Sequence, residues 1–230
     1  MMVGRLRVQA IVRTFIQNNI VSNTPKGKNI TTMLNIILLA AGQGLRMGGP
    51  NKLLLPFRDH TVLEASLSEL CAADIGPVFV VTGHLHESLT PILEQFLVQV
   101  VFNPGFQTGM TGSIQAGVRA AQAGQGYMIC LADMPMITAP AYRLLADRFI
   151  SLSAQDERAI LLPRFGETKG NPVIFAESYR DEILQHPEPE GCRGMVQANA
   201  SHVYWADMPD DSVLSDLDTP EDYENALLRP

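Results

Sequence analysis

The chain has 230 residues, 46% of them hydrophobic, and a formal net charge of -7. This length allows a domain with a sizeable buried core, and the negative charge argues against nucleic acid or an anionic membrane surface as the main partner. No apolar run approaches the roughly 20 residues of a membrane-spanning helix, and three cysteines without C-x-x-C spacing indicate neither a disulfide framework nor a zinc site, as is typical of a cytoplasmic protein.

The first 33 residues differ in composition from the rest. They contain five basic residues and no acidic one, so the remaining chain carries all 24 acidic residues and 12 basic ones. Acid-free, arginine-containing segments are typical of transit peptides, but this one lacks the cleavage site and long apolar core of a secretory signal. We interpret residues 1–33 as a basic extension, either disordered or the product of a start assigned too far upstream, and residues 34–230 as one domain.

A glycine-rich loop follows the first predicted strand. Residues 36–40 are too few and too β-branched for a helix, and four glycines follow within eight residues. Bare backbone N–H groups in such a loop can approach a ligand closely, and glycine loops after parallel strands commonly bind phosphates. Arg46 and Lys52 add cationic donors, so the loop predicts a nucleoside triphosphate as ligand.

Two better-known glycine loops do not fit this spacing. The dinucleotide pattern G-x-G-x-x-G would need a glycine at Met47, and the Walker loop would need G-K-[ST] where the chain has Gly49-Pro50-Asn51-Lys52. The string from Leu39 through Arg46-Met47-Gly48 to Lys52 instead resembles the signature loop of nucleotidylyltransferases of the molybdenum-cofactor type. These enzymes have the nucleotide-diphospho-sugar transferase fold.

Strands and helices alternate after this loop. Helical spacing of apolar residues predicts helices over residues 61–73 and 87–97, and short apolar runs predict strands over residues 78–81 and 98–102. Such βαβ alternation predicts an α/β protein. Together with the resemblance, it implies a three-layer α/β/α sandwich around a Rossmann-like, mostly parallel sheet.

A second glycine-punctuated loop, residues 103–113, leads into a helix predicted over residues 114–123. It is similar to the N-P-x-x-x-x-G-M-x-x-S segment that lies against the nucleotide in the resembled family, which implies nucleotide contacts for Gly109 and Ser113. The alternative for Ser113 is a simple helix N-cap, and both interpretations are compatible.

The apolar strand predicted over residues 127–132 ends abruptly in Asp133-Met134-Pro135. This position puts the Asp133 carboxylate at the carboxyl edge of the sheet, where open α/β sheets bind ligands, and Mg²⁺ favours such oxygen ligands beside phosphates. Capping of the next helix is the alternative role. The Asp-Met-Pro string resembles the metal-binding signature of the same family.

The C-terminal string from Asp216 to Asp222 resembles the family's D-[IL]-D-T-P-E-D segment. Thr219 and Pro220 have a structural explanation as the N-cap and first residue of the last helix. The two preceding aspartates are not needed for capping. By resemblance, Asp218 supplies the second carboxylate to the metal.

Two further segments resemble the family's acceptor-binding parts. Residues 166–175 are similar to a segment that lines the acceptor pocket, which implies that Lys169, Gly170 and Asn171 meet an anionic acceptor. Residues 191–194 are similar to a G-x-R segment, so Arg193 faces an acceptor phosphate by resemblance. A simple surface charge is an equally good explanation of Arg193.

The resemblance therefore implies a nucleotidylyltransferase that depends on Mg²⁺, for which Mn²⁺ can substitute. Catalytic roles fall on Arg46, Lys52 and Asp133, and the metal is held by Asp133 and Asp218. The implied nucleotide-binding residues are Leu39, Ala40, Ala41, Gly42, Gly44, Arg46, Lys52, Gly83, Gly109 and Ser113.

The L-A-A-G form of the loop and the Asp-Met-Pro string are most similar to the cytidylyltransferase branch, whereas the guanylyltransferase branch typically has L-A-G-G. This implies CMP transfer from CTP to the molybdenum cofactor, and a transient contact with a molybdenum hydroxylase apoenzyme or its chaperone. The alternatives are a guanylyltransferase using GTP, an enzyme for a sugar phosphate or another phosphorylated acceptor, a nicotinamide oxidoreductase and a non-catalytic nucleotide-binding protein.

Overall fold

The computed structural model describes residues 34–42 and 51–229. The strands in these residues are β1 (Leu34–Ala40), β2 (Pro56–Phe57), β3 (His60–Thr61), β4 (Val78–Thr82), β5 (Gln99–Phe102), β6 (Gly126–Leu131), β7 (Ile160–Phe165), β8 (Thr168–Lys169), β9 (Val173–Ala176) and β10 (Val203–Asp207). The α-helices are α1 (Val62–Ala72), α2 (His86–Leu93), α3 (Met110–Ala120), α4 (Ala139–Ser153), α5 (Arg180–Gln185), α6 (Arg193–Ala198) and α7 (Pro220–Leu228). Short 3-10 helices lie at Lys52–Leu54, Phe106–Thr108, Glu177–Tyr179, Ala200–His202 and Asp211–Leu214.

Within the described residues, eight strands form a mixed sheet in the order β10-β7-β9-β6-β1-β4-β5, with β8 paired to β7. Both neighbours of β1 run parallel to it, whereas β9 is antiparallel to β6 and to β7. Helices cover both sides of the sheet, and β2 and β3 pair separately. This architecture confirms the predicted α/β class and its mostly parallel sheet, while the division of the chain at residue 33 stays a prediction.

The order of the strands changes direction at β1. From β1 the chain adds β4 and β5 on one side and then returns to add β6 on the other. Connections that leave neighbouring parallel strands in opposite directions open a crevice at the carboxyl ends of those strands. The backbone N–H of Ala132 donates to the carbonyl of Leu39 at 3.2 Å, so the loops that follow β1 and β6 begin side by side.

The strands beside this crevice form the centre of the core. Leu34, Ile36, Ile37 and Leu38 of β1 are completely buried, as expected for a parallel strand covered on both faces. Helix α3 packs closely against this layer through Gly117, because a Cβ atom at that position would lie 2.4 Å from a methyl group of Ile37. The absence of a side chain therefore lets α3 approach the sheet.

The predicted boundaries differ from the structure by one residue at several elements and by three or four residues at two helices, which are His86–Leu93 and Met110–Ala120. The helix predicted over residues 87–97 is His86–Leu93, because Gln95 and Phe96 close tight turns onto the carbonyls of residues 92 and 93. The following strand begins at Gln99. The helix predicted to begin at residue 114 begins at Met110, and Ser113 lies inside its first turn, so the N-cap interpretation of Ser113 was wrong. Gly112 had been read as part of the loop, but it is helical.

No helix among the described residues is long and apolar enough to cross a membrane.

Asp156 fastens the edge strand β10 to the turn before β7. One carboxylate oxygen lies 2.8 Å from His202 Nδ1 and accepts a hydrogen bond from the Tyr204 hydroxyl at 3.1 Å. The other oxygen accepts from the backbone N–H of Arg158 at 2.9 Å. Burial alone would raise the pKa of Asp156, but these hydrogen bonds outweigh that effect and hold the pKa below its ordinary value of 3.8.

We expect Asp156→Asn to lower the free energy of unfolding at pH 7 by about 1–3 kcal/mol, since the amide loses the charge and presents an N–H₂ group to donors. The folded-state pKa lies below the unfolded-state pKa, so the stabilisation is present above about pH 4 and is lost as the pH falls through the folded-state value. Urea unfolding of both proteins from pH 7 to pH 3 measures this. Asp147→Asn, at an exposed residue of α4, is the control. A difference that does not shrink in acid would contradict the assignment.

Candidate active site

Lys52 forms ion pairs with two carboxylates that are distant in the sequence, at the crevice between β1 and β6. Its Nζ contacts Oδ2 of Asp133 and lies 2.6 Å from Oδ1 of Asp218. The three side chains are 14%, 16% and 33% exposed, respectively. Three residues that were singled out separately in the sequence thus form one ion-pair cluster at the carboxyl edge of the sheet. We call it the Lys52 cluster.

Local backbone structure positions the lysine. Lys52 begins the 3-10 helix Lys52–Leu54, and the side chain of Asn51 caps this turn by accepting a hydrogen bond from the backbone N–H of Leu53 at 3.0 Å. Leu53 is buried in the core. Burial of Leu53 therefore fixes the turn against the core, and the flexible side chain of Lys52 can reach the carboxylates.

The two aspartates are also held by neighbouring contacts. The Ser66 hydroxyl of α1 donates to the carbonyl of Ala132 at 2.9 Å, immediately before Asp133. The carbonyl of Asp133 accepts from the backbone N–H of Leu217 at 3.0 Å, which fastens the residue before Asp218 to the end of β6. On the other side of Asp218, Thr219 and Asp222 form a capping box at the start of α7.

Electrostatics keep Lys52 charged. Burial alone would lower the pKa of Lys52, but the charges and hydrogen bonds of Asp133 and Asp218 outweigh burial and raise it above its ordinary value of 10.5. A third carboxyl group, that of Asp216, lies near the cluster. Burial raises the pKa of Asp216, and the negative charges of Asp218 and Asp133 raise it further. The cluster therefore has more carboxyl groups than cations, which favours the approach of a further cation.

A pocket opens beside the Lys52 cluster at the end of β1. A Cβ atom at Gly42 would meet no atom of the described residues within 4 Å. Four of the residues predicted to bind the nucleotide line the pocket, namely Leu39, Ala40, Gly42 and Lys52. Asn51, Leu53 and Asp133 also line it. Gly44 and Arg46, which were predicted to bind the same nucleotide, lie outside the described residues.

Ala41 and Gly83 meet where β1 and β4 end. A Cβ atom at Gly83 would lie 2.6 Å from Cβ of Phe106 and 3.0 Å from Cβ of Ala41, so this position has no room for a side chain. The buried hydroxyl of Ser113 accepts a hydrogen bond from the Asn103 amide at 3.1 Å. The predicted nucleotide residues of β4 and α3 thus lie at the same edge as the end of β1.

The predicted acceptor residues lie on two separate segments. Gly170 and Asn171 pack against Val213: the backbone N–H of Asn171 donates to the Val213 carbonyl at 2.9 Å, and a Cβ atom at Gly170 would lie 2.3 Å from the same oxygen. Val213 precedes the segment that carries Asp218. Lys169 is exposed beside them, and Arg193 is exposed at the start of α6.

The chemistry of the Lys52 cluster fits a divalent cation. Asp133 and Asp218 offer hard oxygen ligands close enough together to share one lysine ammonium group. In the described ranges, no group of three or more His, Cys, Asp or Glu residues is arranged to hold a metal ion. Two carboxylates with the remaining positions left to phosphate and water is the usual pattern for Mg²⁺.

Sequence reasoning missed the supporting residues Asn51 and Ser66. Ser66 is a buried hydroxyl within the apolar side of α1, and a polar residue at such a position was the available signal. Asn51 had none beyond its place next to Lys52.

The sheet thus presents a lysine and two carboxylates at the crevice where the strand order changes, which is where open α/β sheets bind ligands. The sequence profile described as the MobA-like NTP transferase domain matches residues 36–203, and the chain belongs to this family. The match confirms the resemblance found in the sequence and the predicted enzyme class, a nucleotidyltransferase.

Individual relatives agree over most of the chain. Molybdenum cofactor cytidylyltransferase from Escherichia coli (strain K12) is 26% identical over 203 residues, which are 85% of this chain and 96% of that protein. Nicotine blue oxidoreductase from Paenarthrobacter nicotinovorans is 26% identical over 188 residues, 80% and 92% of the two chains. The crystal structure of Rv0371c from Mycobacterium tuberculosis H37Rv matches with a TM-score of 0.75 at 22% identity, covering 86% of this chain and 100% of that one. A structure of Rv0371c in complex with manganese gives a TM-score of 0.67.

Lys52→Met should lower the free energy of unfolding by about 1–3 kcal/mol, because it removes the cation between two partly buried carboxylates. Added Mn²⁺ should restore part of the loss, since a ligand that binds the folded state stabilises it. Thermal unfolding with and without Mn²⁺, in the absence of nucleotide, measures both effects. Lys169→Met, at an exposed lysine, should behave like the wild type in this assay. An unchanged melting temperature for Lys52→Met would show that the Lys52 cluster does not stabilise the fold.

Proposed function

We propose that the protein transfers CMP from CTP to the molybdenum cofactor, giving molybdopterin cytosine dinucleotide and pyrophosphate. The observation that carries this proposal is the Lys52 cluster, which brings Lys52, Asp133 and Asp218 together, with Lys52 and Asp133 lining the same pocket as Gly42. The name of the Escherichia coli relative supports this choice of nucleotide and acceptor. In the reaction, an oxygen of the acceptor phosphate forms a bond to the α-phosphorus of CTP, and the bond from that phosphorus to the β-phosphate oxygen breaks.

The residues of the pocket bind and neutralise the triphosphate. The backbone at Gly42, with Gly44 of the same loop, approaches the phosphates, and Lys52 and Arg46 offset the negative charge that develops on the departing pyrophosphate. Lys52 can fill this role because the ordinary pKa of a lysine, 10.5, leaves the group cationic at neutral pH. Asp133 and Asp218 would hold Mg²⁺, with Mn²⁺ as a substitute, and the bound ion would neutralise the α-phosphate and orient in-line attack.

This chemistry needs no protein base. The attacking group is a phosphate oxygen that is already ionised at neutral pH, so Lys52 acts as a charge and not as a proton acceptor. Lys169, Gly170, Asn171 and Arg193 would bind the anionic acceptor from their two separate segments. Gly83, Gly109 and Ser113 would contact the base and ribose, together with Ala41.

The remaining expectations extend the same proposal. CTP:molybdenum cofactor chemistry would place the protein in the cytoplasm, where it would hand its product to a molybdenum hydroxylase apoenzyme or its chaperone. A guanylyltransferase using GTP, or an enzyme acting on a sugar phosphate, would use the same cluster. An oxidoreductase is the candidate of another class, because the Paenarthrobacter relative is named as one, and a nicotinamide-dependent oxidoreductase is the alternative that the sequence left open. Calorimetric titration of the protein with CTP and with NADH separates the two classes.

Asp133→Asn should reduce turnover by about 100-fold or more, because it removes one of two proposed metal ligands at nearly constant size. The fold should persist, since the main-chain bond from Leu217 to Asp133 is unaffected. The measurement is pyrophosphate release with CTP, Mg²⁺ and molybdenum-loaded molybdopterin, with a melting curve for each protein. Asp207→Asn, at a carboxylate that is 73% exposed, is the control. A folded Asp133→Asn protein with near-normal turnover would rule out this metal assignment.

Nucleotide choice should depend on Ala41. The wild type should have a higher kcat/KM for CTP than for GTP, because the Ala41 methyl group narrows the space towards Gly83 and a single-ring base fits better. Ala41→Gly should raise the ratio of GTP to CTP use by about tenfold, the effect of one methyl group in a binding pocket.

The assay is a matrix of both nucleotides against molybdopterin with and without molybdenum and against sugar phosphates. Ala200→Gly, at an exposed alanine before β10, serves as the matched control. Equal or better use of GTP by the wild type would overturn the cytidylyl assignment, and turnover with a sugar phosphate alone would overturn the acceptor.

A further inference from the structure

Thr111, in the first turn of α3, makes three hydrogen bonds to a segment about 80 residues further along the chain. Its hydroxyl donates to the carbonyl of Glu188 and accepts from the backbone N–H of Gly191 at 2.9 Å. Its own backbone N–H donates to the carbonyl of Pro189 at 3.3 Å. The side chain is 6% exposed. We call residues 186–192, which connect α5 to α6, the connecting arm.

Close packing around Thr111 leaves the connecting arm little freedom. A Cβ atom at Gly109 would lie 2.5 Å from the Pro189 carbonyl oxygen, so the arm touches the backbone at the start of α3. One turn further along α3, the Gln115 amide donates to the carbonyls of Ile183 at 3.1 Å and His186 at 3.0 Å. The start of α3 therefore acts as the seat of the whole arm.

The two sides of this contact carry residues with different proposed partners. Gly109 and Ser113, which lie on either side of Thr111 in the sequence, are proposed to bind the nucleotide. The connecting arm leads directly into Arg193, which is proposed to bind the acceptor. A single buried hydroxyl thus joins the segment for one substrate to the segment for the other.

We propose that Thr111 is a positioning residue for the acceptor: by fixing the connecting arm on α3, it presents Arg193 to the acceptor phosphate. This inference rests on the proposed function. A hydroxyl is needed because it donates and accepts at the same time. Valine has nearly the same shape but would leave the Glu188 carbonyl and the buried Gly191 N–H without their partner. Serine retains both hydrogen bonds.

The kinetic test compares Thr111→Val with Thr111→Ser. Thr111→Val should raise KM for the acceptor by about tenfold and change KM for CTP by less than about twofold, because only the acceptor contact is displaced. Thr111→Ser should restore the wild-type KM. Thr138→Val, at the exposed N-cap of α4 whose side chain makes no capping bond, controls for the loss of a threonine hydroxyl elsewhere.

A double-mutant cycle with Arg193→Ala tests whether Thr111 acts through that arginine. If it does, Thr111→Val should add little to the loss already caused by Arg193→Ala, since coupled residues are not additive. Additive losses, or an equal rise of both KM values, would overturn the positioning role and leave Thr111 as a general packing residue.

Hydrogen exchange of the free protein provides a readout that needs no substrate. In Thr111→Val, amides of the connecting arm should exchange faster while those in the later turns of α3 stay protected. Unchanged exchange in the arm would overturn the inference whatever the kinetics. Absence of turnover in the wild type with every nucleotide and acceptor would instead overturn the proposed function, and the positioning role with it, even if the exchange data showed that Thr111 fastens the arm.

Discussion

The ion pairs of Lys52 with Asp133 and Asp218 hold together three parts of the chain that lie far apart in the sequence. Lys52 follows the glycine-rich loop, Asp133 lies two residues after β6, and Asp218 precedes α7. Without a cation between them, the two carboxylates would repel each other at short range in a partly dehydrated environment. The close approach of the two carboxylates in the crevice therefore depends on a positive charge between them. Either Lys52 or a cation bound together with the substrate can supply that charge.

The sequence predicted the central strands well because their physical signals are local. β1, β4 and β6 each contain an apolar run of four or more residues that is followed closely by glycine or aspartate, and buried parallel strands need little else. The start of α3 was misplaced because Gly109 and Gly112 suggested a loop, whereas tertiary packing overrides that preference. The antiparallel direction of β9 could not be predicted, since its four apolar residues carry no information about the direction or the neighbours of a strand.

Part of the site was predicted as a unit, since the resemblance put Asp133 and Asp218 on one metal ion. The ion pairs of Lys52 with both carboxylates were not predicted, because 166 residues separate Lys52 from Asp218 and no sequence pattern links them. Thr111 had no signal, because a threonine in a helical first turn looks ordinary and its partners are backbone groups of a distant segment. Relatives of this chain bear the names of a cytidylyltransferase and an oxidoreductase, so the fold alone does not define the reaction.

Gly117 lies in the core, but a substitution there would affect the proposed binding sites of both substrates. An alanine there would force its methyl group against Ile37 of β1 and Val81 of β4, and α3 would have to retreat from the sheet. Ser113 and Thr111 belong to the same rigid helix, so the proposed nucleotide contact and the seat of the connecting arm would be displaced together. Substitutions at the rim of the crevice can therefore alter the binding of one substrate alone, whereas a substitution at Gly117, beneath the crevice, would disturb the binding of both.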